Sequence, residues 1–383
     1  MNKSIKSRAA VLFDMGLPRP FSKSKPIKVI DIDIDPPGFD EVLVKVSAAG
    51  LCHSDLSVVN GNRPRAMPMV LGHEGSGVVA AIGEGVENFK IGDHVVFVFV
   101  PSCGKCIPCK EGRPALCEPG LAAGGAGTLL SGEKRFRLNG DFINHQVGVS
   151  CFSEFTVVSS KSLVKVDQSL PLDEAALFGC AVITGAGAVF NTAKIRVGST
   201  VAVVGLGGTG LAALIGAKAA GASKIIGIDL LEDKLHIAKQ LGANEVYKAD
   251  DPSLIENLKN YTNGGVNYSF ECVGSEKAME LAYKILRRGG TTVSSGLSHP
   301  DKNFSIQHVD LVAGEKVIKG SFLGSCVPDR DIPAYIELYK SGRLEVDRLM
   351  SDHISLEQIN EGFDKLSEGS TVRQVIMLSL IHI

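Results

Sequence analysis

The sequence predicts an α/β chain in two parts: a β-rich first part and a second part built on a doubly wound parallel sheet. Three observations carry this. Up to about residue 170, short apolar stretches alternate with glycine and proline. From about Ser199, strand-like and helix-like segments take turns. A glycine-rich turn at 205–210 joins the first strand of that series to its first helix. The length of 383 residues suits two or more domains, and 44% hydrophobic residues suffice for their cores.

The β-rich part takes its strands from EVLVKVSAAG (41–50), GSGVVAAIG (75–83), DHVVFVFV (93–100) and FTVVS (155–159). The second part reads TVAVVGLGGTG, helical LAALIGAKAAGA, strand KIIGID and helical EDKLHIAKQLGA. It continues with strand VNYSFECVG, helical AMELAYKILRRGG and strand TTVSSGL. Beyond about Leu323 come a helix over 332–341, a strand-like VRQVIML and the unassigned tail SLIHI. The expected domains are 1–181, with a cysteine lobe at 101–120, then 182–323, with 324–383 returning to the first.

The formal net charge of −2 argues against nucleic acid or an anionic membrane surface as partner. No secretion signal is expected at the N-terminus. The run 197–217 is uncharged, but its glycines split it into strand, turn and helix, so no membrane span is expected. Four of the nine cysteines crowd between Cys103 and Cys117. That suggests metal chemistry in a reducing compartment, the cytoplasm, rather than a disulfide framework.

Gly205-Leu-Gly207-Gly208-Thr209-Gly210 follows a strand and opens a helix. Gly205 permits the tight turn, Gly207 lets backbone approach a pyrophosphate, and Gly210 lets helix and strand pack closely. The helix N-terminus offers N–H groups to the phosphates. Asp229 ends the next strand and suits the adenosine ribose hydroxyls; its charge would repel a 2′-phosphate, so NAD is expected over NADP. The alternative is that Asp229 merely caps the following helix.

Cys103, Cys106, Cys109 and Cys117 supply four thiolates in one loop, as a closed, structural zinc site needs. Iron–sulfur ligation is the rival, but the gap of seven before Cys117 and the Glu118 after it depart from ferredoxin spacing. A second set is dispersed: Cys52, His73 and Cys180 would make a three-ligand site with one open position. Spacing alone does not join them. His73 could equally be a satisfied core histidine and Cys180 an inert buried thiol.

The motifs AAGLCHSD, LGHEGSGVV, the four-cysteine loop, FGC followed by GAG, and GLGGTG with Asp229 stand in one order along the chain. In that order the chain resembles the zinc-containing alcohol dehydrogenases of the medium-chain dehydrogenase/reductase superfamily over essentially its full length. The resemblance implies a GroES-like catalytic domain and a Rossmann domain. It implies two zinc ions, one catalytic on Cys52, His73 and Cys180 and one structural on the four-cysteine loop. It implies that Glu74 can approach the catalytic metal, that Asp55 holds the far nitrogen of His73, and that Ser54 takes the substrate proton. It adds His53 and Arg373 at the pyrophosphate, Lys234 near the ribose, and Gly208, Thr209 and Thr184 to the residues that contact NAD. Many members carry a histidine where Ser57 stands, so the proton is expected to leave through water or His53.

The implied activity is hydride transfer between an alcohol carbon and NAD, with a small alcohol or aldehyde as partner. Two alternatives are glutathione-dependent formaldehyde oxidation and a non-catalytic NAD-binding relative. Against the first, that branch carries an arginine soon after the last structural cysteine, whereas here the region holds Leu121 and no cation until Lys134; against the second, all three catalytic ligands are present. A polyol dehydrogenase would commonly have Glu at Cys180. The lobe from Cys117 to about 140 resembles that of dimeric members, so a homodimer is expected over a tetramer.

Overall fold

A computed structural model describes residues 3–378; the tail SLIHI lies outside them. Contacts divide the chain into two compact units. The first holds residues 1–180, 327–333 and 350–383; the second holds 181–326 and 334–349.

The first unit is β-rich. Five strands close a barrel in the order Ile5–Leu12, Ile27–Ile34, Phe136–Leu138, Asp141–His145, Met69–Val70. A seven-stranded sheet is organised around the long strand Glu41–Gly50. That strand pairs antiparallel with Gly75–Ile82, with Phe155–Ser159 and with Gln374–Met377. Its residues are nearly all buried, which explains the almost continuous apolar run EVLVKVSAAG. Its end is tied down: Gly50 N–H donates to the Glu74 carbonyl at 2.9 Å, and Leu51 N–H to the Gln374 carbonyl at 2.9 Å. Cys52 therefore leaves the sheet at a fixed point.

The second unit is a six-stranded parallel sheet. Its order is Glu245–Lys248, Lys224–Asp229, Thr200–Val204, Val266–Glu271, Leu286–Ser294, Val317–Gly320, so in sequence order the strands run 3-2-1-4-5-6. This is the doubly wound Rossmann arrangement, whose order reverses beside Thr200–Val204. The run 197–217 becomes that strand plus the helix Gly208–Ala219. Among the described residues no single helix is long and apolar enough to cross a membrane.

Three segments differ from expectation. The helix expected across AMELAYKILRRGG ends at Lys284, and Leu286–Ser294 is a strand. Leu286 is buried and pairs with Val266, so sheet pairing overrides helical periodicity there. DHVVFVFV is strand only over His94–Phe97, where partners exist on both sides. Finally, 334–349 packs with the second unit rather than the first. Tyr335 and Ile336 are buried there, the Tyr335 hydroxyl accepts from Asn191 Nδ2 at 3.2 Å, and Glu345 pairs with Lys218 at 2.7 Å.

Candidate active site

In the first unit, Cys52, His73 and Cys180 come together from three distant parts of the sequence. Their ligand atoms lie within 4.8 Å of one another, and the residues are only 7%, 3% and 6% exposed. Cys52 precedes the helix His53–Val59, and Asp55 in its first turn accepts the Cys52 N–H at 3.1 Å. His73 follows Gly72, whose φ of +99° and close approach to Phe152 N leave no room for a side chain. His73 Nε2 lies 3.3 Å from Cys180 Sγ, and its Nδ1 lies 2.6 Å from Asp55 Oδ1.

Asp55 thus orients the ring from behind and holds Nε2 toward the thiols, as a metal-ligating histidine requires. Asp55 Oδ1 also accepts from Gln146 Nε2 at 2.8 Å, and the Gln146 side-chain carbonyl accepts the N–H of Gly72. One glutamine therefore braces both the aspartate and the turn that carries His73. No motif flags Gln146; only the folded chain shows its role.

The electrostatics suit a cation. Cys52 is pushed well below the ordinary thiol value, first by a hydrogen bond from Cys180; burial opposes this, and Arg373 and His73 assist. Cys180 is pushed up by the same hydrogen bond and by burial, since two buried thiols in contact cannot both ionise alone. Burial works against charge on His73, yet Asp55 outweighs it and raises the imidazole well above its usual value. A divalent cation would displace the remaining protons and neutralise the cluster. The Cys–His–Cys donor set and its carboxylate-backed histidine fit zinc.

Glu74 is buried beside this cluster, in space that any side chain at Gly50 would fill: a Cβ there would meet Glu74 Oε1 at 2.2 Å. Arg373 is buried against it, its Nε 3.4 Å from Glu74 Oε1 and its Nη1 donating to the Leu51 carbonyl at 2.8 Å. Arg373, placed by resemblance at a pyrophosphate, thus packs beside the metal ligands. Ser54 is half-buried on the helix His53–Val59, whose first residue, His53, is exposed. The Ser57 hydroxyl donates to the His53 carbonyl at 2.8 Å.

Cys103, Cys106, Cys109 and Cys117 form a second cluster, again with ligand atoms within 4.8 Å. Here the support is local. Lys105 and Cys106 N–H groups donate to Cys103 Sγ at 3.4 and 3.3 Å, and Cys103 and Gly120 N–H groups to Cys117 Sγ at 3.2 and 3.4 Å. Those two bonds to Cys103 bring its thiol down to about 6, while burial, followed by Cys106, lifts Cys109 to about 12. Four sulfurs in one loop fit a closed zinc site.

The other expected site residues lie in the second unit. Gly205 follows the strand Thr200–Val204 with φ +90°, and a Cβ on Gly210 would clash with the Gly205 carbonyl. The space over Gly207 is open. Asp229 Oδ2 accepts the Leu206 N–H at 2.7 Å and Oδ1 the Leu231 N–H at 3.0 Å, which holds the carboxylate at the mouth of the glycine turn. The helix Glu232–Gln240 has Leu231 at its N-cap, without a side-chain cap. Lys234 is buried in that helix and Thr184 half-buried in Ala181–Gly187. Glu271, which no motif flags, accepts from Val273 N–H, Gly274 N–H and Ser294 Oγ at 2.8, 2.6 and 2.6 Å. It ties together the C-terminal ends of two neighbouring strands.

Residues 38–168 match the profile of the alcohol dehydrogenase GroES-like domain, and residues 208–341 that of the zinc-binding dehydrogenases. The chain is 40% identical to alcohol dehydrogenase class-3 of Drosophila melanogaster, over 92% of this chain and 94% of that one. It is 38% identical to the S-(hydroxymethyl)glutathione dehydrogenase of a Synechocystis strain, over 97% and 100%. The crystal structure of benzyl alcohol dehydrogenase from Acinetobacter calcoaceticus superposes with a TM-score of 0.90 at 33% identity, covering 97% of this chain and 99% of that one. The chain therefore belongs to the zinc-dependent alcohol dehydrogenases of the medium-chain dehydrogenase/reductase superfamily. It is an oxidoreductase that interconverts alcohols and carbonyl compounds by hydride transfer.

Proposed function

We propose that this enzyme uses NAD, holds one catalytic and one structural zinc per chain, and works on small alcohols in the cytoplasm as a homodimer. The observation that carries the metal assignment is the buried Cys52–His73–Cys180 set with Asp55 behind His73. Bound zinc would supply a Lewis acid that lowers the pKa of the alcohol. In this reading Ser54, two residues beyond Cys52, is the hydroxyl that accepts the substrate proton. The Ser57 hydroxyl is spent on the helix backbone, so the proton leaves by exposed His53 or by water. Glu74 and Arg373 compensate each other beside the ligands.

Gly205, Gly207, Gly208, Thr209 and Gly210 receive the pyrophosphate; Asp229, Lys234 and Thr184 complete the NAD-binding set. The Asp229 charge favours NAD over NADP. Cytoplasmic placement is supported by the nine free cysteines. The dimer is supported by the extended lobe that runs through the helix Glu118–Ala126; light scattering giving four chains would oppose it.

Formation of reduced nicotinamide by the zinc-loaded enzyme, compared between NAD and NADP, tests the cofactor reading. Ser54→Ala should cut turnover by orders of magnitude while zinc stays bound; near-normal turnover would sink the proton role. A second reading, oxidation of S-(hydroxymethyl)glutathione, is favoured by the name of the Synechocystis relative. Against it, Glu118–Ala126 carries no cation and exposes Leu121. Activity appearing only when formaldehyde and glutathione are mixed would replace the first reading with the second.

A further inference from the structure

We propose that Cys151 is a positioning residue for the catalytic metal site: it grips the chain immediately before and immediately after His73 and so holds the imidazole in place toward Cys52 and Cys180. The inference rests on reading Cys52, His73 and Cys180 as that site, and adds a residue that none of the sequence motifs contains.

The need for such a grip lies in the chain path. His73 sits between the strands Met69–Val70 and Gly75–Ile82. Residues 71–74 belong to neither strand, so their buried carbonyls need donors from elsewhere. The segment 150–152 supplies them. Ser150 Oγ donates to the Val70 carbonyl at 2.7 Å. Phe152 N–H donates to the Leu71 carbonyl at 2.9 Å, and Cys151 N–H to the Gly72 carbonyl at 3.0 Å. The Cys151 thiol then donates to the Glu74 carbonyl at 3.3 Å. Two bonds from one residue thus bracket the metal ligand.

The same carbonyl carries the support further. The Glu74 carbonyl also accepts the Gly50 N–H at the end of the strand Glu41–Gly50, two residues before Cys52. Cys151 thereby meets the approach to Cys52 and the segment of His73 at one point. Packing leaves it little freedom. Cys151 is fully buried, and a Cβ on Gly75 would press on its Sγ at 3.1 Å. A carbonyl oxygen only accepts, so the sulfur keeps its proton to make this bond. Its Sγ also lies outside the group of ligand atoms of Cys52, His73 and Cys180. Cys151 is therefore a donor to the backbone and not a further thiolate ligand. Asp55 and Gln146 orient the ring through Nδ1, whereas Cys151 fixes the backbone that carries it.

The test uses the full chain with cobalt(II) in place of the catalytic zinc. Visible absorption of a cobalt–thiolate centre reports ligand geometry, whereas zinc, with its filled d shell, is silent. Cys151→Ala removes the side-chain donor, and Cys151→Ser supplies one again. Cys151→Ala should shift the cobalt absorption and speed metal release to a chelator by about 3- to 10-fold, the size of one net hydrogen bond. Turnover should fall by a similar factor, with KM for NAD unchanged. Cys151→Ser should return all three readings toward those of the unsubstituted protein.

An unchanged cobalt spectrum and unchanged metal release in Cys151→Ala overturn the proposal. So does a Cys151→Ser variant that behaves like Cys151→Ala, which would give the role to sulfur volume. If Cys151→Ala does not fold, the infrared difference between unsubstituted and Cys151→Ser protein isolates the Cys151 S–H stretch. A band lowered by hydrogen bonding that moves on metal loading supports the role, and a band at the free-thiol position overturns it. If the unsubstituted protein takes up one metal ion per chain rather than two, and holds it in the four-cysteine loop, the reading of Cys52, His73 and Cys180 fails first and this inference with it.

Discussion

The two cysteine clusters of the first unit use similar ligands in opposite ways. The lobe draws four sulfurs from 103–117, leaves three of those residues half-exposed, and satisfies the sulfurs with backbone N–H groups of its own loop. The other centre draws Cys52, His73 and Cys180 from across the unit, buries all three, and braces them with Asp55 and Gln146. A local closed cluster stiffens a loop. A dispersed buried one, with three protein ligands, leaves a position for chemistry.

Removing one ligand from each cluster should give opposite phenotypes. Cys180→Ala is expected to lower turnover on the order of a thousand-fold or more, with one zinc lost and the thermal transition nearly kept. Cys106→Ser is expected to destabilise the fold by on the order of several kcal/mol and expose the lobe to proteolysis. Zinc analysis with thermal melts reads both. If Cys106→Ser abolished turnover at an unchanged melting temperature, the comparison would invert.

Gln146→Leu sharpens the contrast, since the lobe has no equivalent brace among the described residues. Loss of its bonds to Asp55 and Gly72 should cost about 10- to 100-fold in zinc affinity or turnover. Unaltered zinc release to a chelator and unaltered kcat would show that Asp55 needs no support.

The smallest effect separates folding from metal release in acid. His145 is buried, and its Nε2 accepts the Arg135 N–H at 3.1 Å. Burial first, then the Arg135 and Lys134 charges, lowers its pKa to about 3. The folded form thus binds fewer protons than the unfolded form. Its contribution is present above the ordinary histidine value near ~6.5 and is lost as pH falls from there toward about 3. In chelator-treated protein, His145→Gln should flatten the melting temperature across that window. An equally steep slope in the variant would assign it to the thiols or carboxylates.

Much of the fold was legible along the chain. FTVVS and EVLVKVSAAG became strands with the expected bounds, Phe155–Ser159 and Glu41–Gly50. The glycine turn sits between strand and helix because each glycine answers a local steric demand. The helix expected through Ile285 and Leu286 shows the limit: the same apolar residues serve either element until a neighbouring strand pairs with them.

By itself the sequence determined what a short window can encode: the strand and helix periods, the glycine turn and the four-cysteine loop, whose ligands and N–H donors are neighbours in the chain. Only the tertiary structure decided the rest. It brought Cys180 to within 3.3 Å of His73, set Gln146 behind Asp55, packed Arg373 against Glu74, and grouped 334–349 with the second unit. Those contacts join residues far apart in sequence. They arise from the burial and pairing of whole elements, which no local spacing records.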